Sequence, residues 1–381
     1  MAKTGNDLLL FGRRKPWLSL ISLILIAFGG LVVGQFVAIF LVTQIYHLSM
    51  LEVLNMVANI SEYPDYKMAI YLLQGLSAIF AFILAPWFYL RFIEKKRFGI
   101  LSPNPRLKLI PAVLSFLISI IFMAVNFKFA EWNARMNLPE FLKDVEAWMS
   151  LQEDKLEEAT MFLTNIDNPP ELVVAMLVIG IIPAVGEEFL FRGLIQNQLQ
   201  SWTRNAHWAI WITAILFSTI HIQFYGFVPR MLLGVLFGYM YLWSGNLIYP
   251  MLAHFANNGF QVLMLYLYRS EVTSFNIDET DTIPWTVFFT SAVISVVLII
   301  YFKRHFMRDG YNSADWHSVF STDQPHQAEI VKAVLDKHHM NPVLINKKDS
   351  SYHNFGEIEV HVSSEYTFRA RQIIENDIKF E

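Results

Sequence analysis

The chain has 381 residues, 54% of them hydrophobic and only 16% charged, with a formal net charge of −4. Soluble domains run at about 25% charged, so the composition points to a membrane protein of several spans, and the acidic balance gives no footing for a nucleic-acid partner. There is no cysteine, which excludes disulfides, thiolate metal sites and cysteine nucleophiles together.

A spanning helix needs about 20 mostly apolar residues. By that rule about eight candidates follow one another, near 17–45, 68–91, 109–130, 171–187, 207–222, 228–244, 248–268 and 284–302. The first follows Arg13, Arg14 and Lys15, as in a signal peptide, but its apolar run far exceeds the roughly 7–15 residues of a signal core. A retained helix is expected. The fourth is short before it meets Glu187. The fifth is short and preceded by the polar stretch Gln196 to Arg204. Helix breaks are expected there, because irregular backbone is tolerated where it lines a cavity.

Loop charges set the orientation. Lys3, Arg13, Arg14 and Lys15, then Arg91, Lys95, Lys96, Arg97, Arg106 and Lys108, then Lys303, Arg304 and Arg308 all fall on one side of an eight-helix topology. The opposite loops, 46–67, 131–170 and 269–283, are poorer in Lys and Arg and rich in acid. The positive-inside rule then expects both termini in the cytoplasm and the helices in the inner (plasma) membrane. Within 131–170, the stretch Glu140 to Leu163 reads as amphipathic helix on the outer surface, a solvated cap rather than a substrate gate. Gly30 with Gly34, and Gly234 with Gly238, have the small-xxx-small spacing that lets helices approach closely.

After Arg308 the composition changes. Residues 309–317 read as a linker, and 318–381 as a small soluble domain of order βαββα. Its strands are expected at Val319–Thr322, Val343–Ile345 and from Gly356 through Val362. Its helices are expected at Pro325–His338 and after Ser364, with Phe368, Ala370, Ile373 and Ile374 on the second. The expected fold class is an all-α polytopic membrane protein of about eight transmembrane helices over 1–308, followed by a small C-terminal α+β domain.

The polar residues at membrane depth are the functional candidates, since buried ionisable groups there are costly. Glu188 and Arg192 are four apart and face one side of a helix, a natural ion pair. Glu187, about 100° round the helix, is left to face a cavity, where a carboxylate in a poorly solvated pocket suits a general base. His221 ends a later apolar run; alone it would be an ordinary core histidine. His254 and Asn258 sit four apart, hence on one face, and can offer two donors to one oxygen, as an oxyanion hole requires. His47, His207 and His305 sit at helix ends outside this pattern.

Glu187-Glu188-x-x-x-Arg192, Phe217-x-x-x-His221 and His254-x-x-x-Asn258, in this order, resemble the three-motif signature of the CAAX-protease and bacteriocin-processing family, also called Abi. The resemblance covers about 170–265. It implies an intramembrane endopeptidase acting on a membrane-embedded or lipidated protein or peptide. It implies that Glu187 works with His221 on a water, that His254 and Asn258 hold the developing oxyanion, and that Glu188 and Arg192 support them. The C-terminal region resembles a small bacterial domain described as signal-transducing, which implies a cytosolic partner or ligand for 318–381. Solvated surface roles are expected for His338, His339 and His353.

No cofactor is expected. The alternative is zinc on Glu187, His221 and His254, a His₂Glu set, but the helical His-Glu-x-x-His zinc signature is missing and a zinc there would consume the only evident base. Two other function classes fit the same buried groups: a proton-coupled transporter, which would show inverted repeats that are not evident, and a non-catalytic scaffold or immunity protein.

Overall fold

The first long apolar run, Pro16 to Tyr46, contains no charged residue, and it forms one uninterrupted helix, α1 (Pro16–Tyr46). The structure is a computed structural model and describes residues 16–136, 138–274, 283–312, 316–338, 340–346, 357–363 and 366–378. Lys3, Arg13, Arg14, Lys15, His339, His353, Gly356 and Ser364 lie outside the described residues, as does most of loop 269–283. The chain divides into two units, Met1–Phe302 and Lys303–Glu381.

The first unit continues with α2 (Met50–Ala58), α3 (Pro64–Ile93), α4 (Leu109–Ala134), α5 (Lys143–Thr164) and α6 (Pro169–Thr203). Then come α7 (Ala206–Thr219), α8 (Phe227–Ser244), α9 (Ile248–Arg269) and α10 (Trp285–Asn312). Among the described residues, 6 helices are long and apolar enough to cross a membrane: α1, α3, α4, α6, α8 and α10. The two other expected spans are present as helices of a different kind. Helix α7 has only 14 residues, and α9 is diluted by His254, Asn257, Asn258 and Gln261. Outward-facing side chains are large and apolar: Leu25, Phe28 and Phe40 on α1 are 64%, 63% and 62% exposed. This is a multi-pass membrane protein whose outer surface matches lipid rather than water.

Helix α6 departs from the expected breaks. It runs unbroken through Glu187 and through the polar stretch after it. The irregularity is absorbed by two π-helical stretches, Met176–Ile181 and Phe189–Gln196. A π turn widens the helix and re-aims side chains without losing the hydrogen-bond ladder, and such turns cluster at functional sites. Asn197 helps to hold the second stretch, donating to the carbonyls of Gly193 at 2.8 Å and Arg192 at 3.2 Å. The polar residues Gln196, Asn197, Gln198 and Gln200 are buried, so the polar face of this segment packs inward.

Both glycine pairs bring helices close. A Cβ at Gly30 would meet Ala85 Cβ at 2.6 Å, and one at Gly34 would meet Phe80 Cβ at 2.6 Å, so α1 lies directly on α3. On α8, a Cβ at Gly234 would meet Ala214 Cβ at 3.0 Å and one at Gly238 would meet Ile210 Cγ2 at 2.9 Å. The same bare backbone serves α6. Arg192 Nη2 donates to the Gly234 carbonyl at 3.0 Å, and Gln196 Nε2 donates to the Gly238 carbonyl at 3.2 Å. Two residues one turn apart on α6 thus grip two carbonyls one turn apart on α8.

Helix α10 continues to Asn312, so 309–312, expected as linker, extend the helix. The second unit holds β1 (Trp316–Thr322), α11 (Pro325–Lys337), β2 (Val343–Asn346), β3 (Ile358–Ser363) and α12 (Thr367–Asp377). The sheet order is β1-β3-β2, both pairings antiparallel, with Thr322 opposite Ile358 and Val343 opposite His361. Alternation puts Ile358, Val360 and Val362 on the covered face, where Ala328, Val331 and Leu335 of α11 and Ala370 of α12 close the core. The βαββα reading matches this order.

Candidate active site

Four of the sequence-selected side chains line one cavity of about 680 Å³ in the helical unit: Glu187 from α6, His221 from the turn after α7, and His254 and Asn258 from α9. Glu188 and Arg192 lie behind its wall, fully buried. Arg192 Nη1 donates to Glu188 Oε1 at 2.8 Å, one turn away on the same helix. The guanidinium also lies over the rings of Phe217, at 4.7 Å, and Phe237, at 5.5 Å. Such stacking suits the weakly hydrated guanidinium and offsets part of its burial.

Glu188 does more than pair with Arg192. Its Oε1 also accepts from His254 Nδ1 at 2.8 Å. A carboxylate cannot donate when ionised, so Nδ1 carries the proton and the other ring nitrogen, Nε2, turns toward the cavity. The ring is held flat against Phe237, centroids 5.3 Å apart and 23° between planes. Nε2 then lies 3.9 Å from Glu187 Oε2, beyond hydrogen-bond reach. Among the described residues Glu187 accepts no side-chain hydrogen bond, while Glu188 accepts two. Adjacent carboxylates therefore have opposite surroundings, one held fast and one open to the cavity.

His221 has a comparable arrangement. Its Nδ1 donates to the Phe217 carbonyl at 2.7 Å, which leaves Nε2 with a lone pair. The next residue, Ile222, has φ +53°, a left-handed conformation uncommon for a β-branched side chain, in the turn that follows α7. Asn258 is partly committed. Pro183 has no N–H for the carbonyl four residues back in α6, and Asn258 Nδ2 donates to that carbonyl, Ile179 O, at 3.1 Å. One of its two amide hydrogens remains. Asn257 Nδ2 donates to Asn258 Oδ1 at 3.0 Å and fixes which way the amide faces.

Sequence reasoning left out several contributors. Phe237 supplies the surface on which His254 and Arg192 rest, and no spacing rule marks it among so many aromatics. Helix α5, expected as a solvated cap, also contributes Glu157, Thr160, Met161 and Thr164 to the cavity wall. It is docked there by Glu153, which accepts from the Tyr225 backbone N–H at 3.0 Å. Burial pushes the Glu153 carboxyl above its usual range, against the opposing pull of that hydrogen bond and of Arg230. Arg230 itself lines the cavity and is the single charged residue of α8. An arginine inside an apolar helix was a visible signal.

Among the described residues no group of three His, Asp or Glu side chains is arranged to hold a metal ion.

Residues 169–260 match the sequence model of a family described as Rce1-like, the type II CAAX prenyl endopeptidases. The match begins at the first residue of α6 and ends on α9, so the matched segment contains every cavity residue of the three motifs and neither α5 nor the second unit. An uncharacterized protein of Bacillus subtilis (strain 168), YpbD, is 32% identical over 90 residues, 23% of this chain and 41% of that relative. The chain thus covers under half the length of that curated relative. No solved structure matches the chain.

Proposed function

We propose that this protein is an intramembrane endopeptidase of the CAAX-processing type. It would hydrolyse a peptide bond in a membrane-associated protein or peptide through a water activated by glutamate and histidine rather than by a metal. The observation that carries this reading is the convergence of Glu187, His221, His254 and Asn258 on one cavity among apolar helices.

Glu187 takes a proton from a water that His221 Nε2 holds by accepting its other hydrogen, and the resulting hydroxide adds to the carbonyl carbon. The oxygen of the tetrahedral adduct accepts from the remaining N–H of Asn258 and from His254 Nε2. For Nε2 to donate, the ring must carry both protons, and Glu188 supplies the counter-charge on the far side. Glu187 then passes its proton to the departing amine nitrogen, which leaves as the C–N bond breaks. Each side chain ends as it began. Donors placed in advance on a developing oxyanion are worth about 10²–10³ in rate each.

The Lys and Arg excess supports an orientation with both termini cytoplasmic in the plasma membrane, and the second unit is then a cytosolic module that binds a partner or ligand. The test of function is comparative proteomics of membrane peptides from cells carrying wild-type protein, Glu187→Ala or His221→Ala. Both variants are expected to insert and fold yet to lose cleavage. A peptide profile identical in wild type and both variants would refute the protease reading.

A further inference from the structure

Arg230 has no role in the chemistry above, yet it sits in the same cavity as Glu187. Its Nη2 donates to Gln223 Oε1. Its Nη1 is buried with no hydrogen-bond partner among the described residues. The charges of Glu187 and Glu153 act on it, but among the described residues it forms no ion pair. Gly226 makes the room: a Cβ there would lie 3.3 Å from both Nη atoms. A buried charged donor left without an acceptor is costly, and this one faces the space in which a substrate would lie.

We propose that Arg230 binds a carboxylate of the substrate inside the catalytic cavity, and so selects peptides that present one close to the bond to be cut. The inference rests on the protease reading for the identity of the substrate. The planar guanidinium suits a carboxylate, which can take Nη1 directly. A monoanion fits better than a phosphate dianion, because Glu187 and Glu153 already place negative charge nearby. The cavity volume of about 680 Å³ is that of a pocket for a small ligand, which is room for a short peptide segment. A free C-terminus and an Asp or Glu side chain offer the same group, and they are separable by experiment.

The experiment uses the full-length protein in detergent as wild type, Arg230→Gln and Arg230→Lys. The probes are three pools of short apolar peptides: free-acid, C-terminally amidated, and amidated with one Glu. Thermal unfolding reports binding of each pool, and mass spectrometry of the same samples reports cleavage. The free-acid pool is expected to raise the unfolding temperature of wild type more than the plain amide pool does. Arg230→Gln should weaken that binding about 10- to 100-fold, as loss of a charged hydrogen bond implies, leave the plain amide pool unchanged, and be partly rescued by Arg230→Lys. Equal stabilisation by the amidated Glu pool would assign the carboxylate to a side chain. Wild type that does not prefer either carboxylate pool to the plain amide, or a preference that survives in Arg230→Gln, overturns the inference. Acid-selective binding without cleavage would remove the protease reading and leave the Arg230 subsite; cleavage without acid preference would do the reverse.

Discussion

Glu188→Ala is the most informative perturbation of the buried network. Glu188 Oε1 is shared by Arg192 Nη1 and His254 Nδ1, each at 2.8 Å, and Arg192 is fully buried. Removing the carboxylate leaves Arg192 with the Gly234 carbonyl and two aromatic faces but without its counter-charge. Breaking a buried pair from one side costs about 3–5 kcal/mol, a fall in unfolding temperature on the order of 10 °C. Arg192→Leu alone removes the carboxylate's counter-charge and leaves it the His254 hydrogen bond. The double variant strands neither charge, so it should be less destabilised than the sum of the single variants by about 1–3 kcal/mol. The assay is thermal unfolding of the four proteins in one detergent. Additive losses, or a Glu188→Ala loss below about 1 kcal/mol, would refute the shared-charge argument. Glu188→Gln separates the second role: its amide oxygen can still accept from His254 or Arg192, so it should unfold well above Glu188→Ala while losing the counter-charge that a doubly protonated His254 needs.

Two further outcomes follow from contacts described above. Gly34→Ala should destabilise the helical unit by about 1–3 kcal/mol, the range for overpacking, because its Cβ would lie 2.6 Å from that of Phe80, whereas Gly29 has nothing within 4 Å and Gly29→Ala should be neutral or mildly stabilising in the same unfolding assay. Glu153, raised above its ordinary value of 4.5 by burial, holds an extra proton when α5 is docked, so docking contributes most at acid pH and is lost as pH rises through the raised value. Hydrogen exchange of α5, compared across pH between wild type and Glu153→Gln, should show that slope in wild type alone; equal slopes would remove Glu153 as its source.

How much of this was legible in the sequence depends on the distance over which each feature is encoded. The helices declare themselves through apolar runs, and β3 through strict alternation, because both are local patterns. The Glu188–Arg192 pair was legible for the same reason, being one turn apart on one helix. The bond from Glu188 to His254 was not, since it joins α6 and α9, which meet where a Cβ on Gly180 would lie 3.7 Å from the Gly259 backbone. Pro183 and Asn258 were both visible, but not the fact that one leaves a carbonyl which the other takes. The unbroken course of α6 was missed because polar residues at 196–200 look like a helix end when their buried partners on α8 are unknown. The role of α5 was missed because amphipathic spacing marks a face and does not say what lies under it.

The paired grip of Arg192 and Gln196 on the carbonyls of Gly234 and Gly238 also fixes a length. Both rungs are satisfied only at one axial setting of α8 against α6. Sliding α8 by a full turn keeps at most one rung, strands the other buried donor, and moves every α8 side chain by about 5.4 Å along the axis. Arg230 rides on that helix and Glu187 on its partner. The ladder therefore acts as a caliper: it sets the axial spacing between the cation of one helix and the carboxylate of the other.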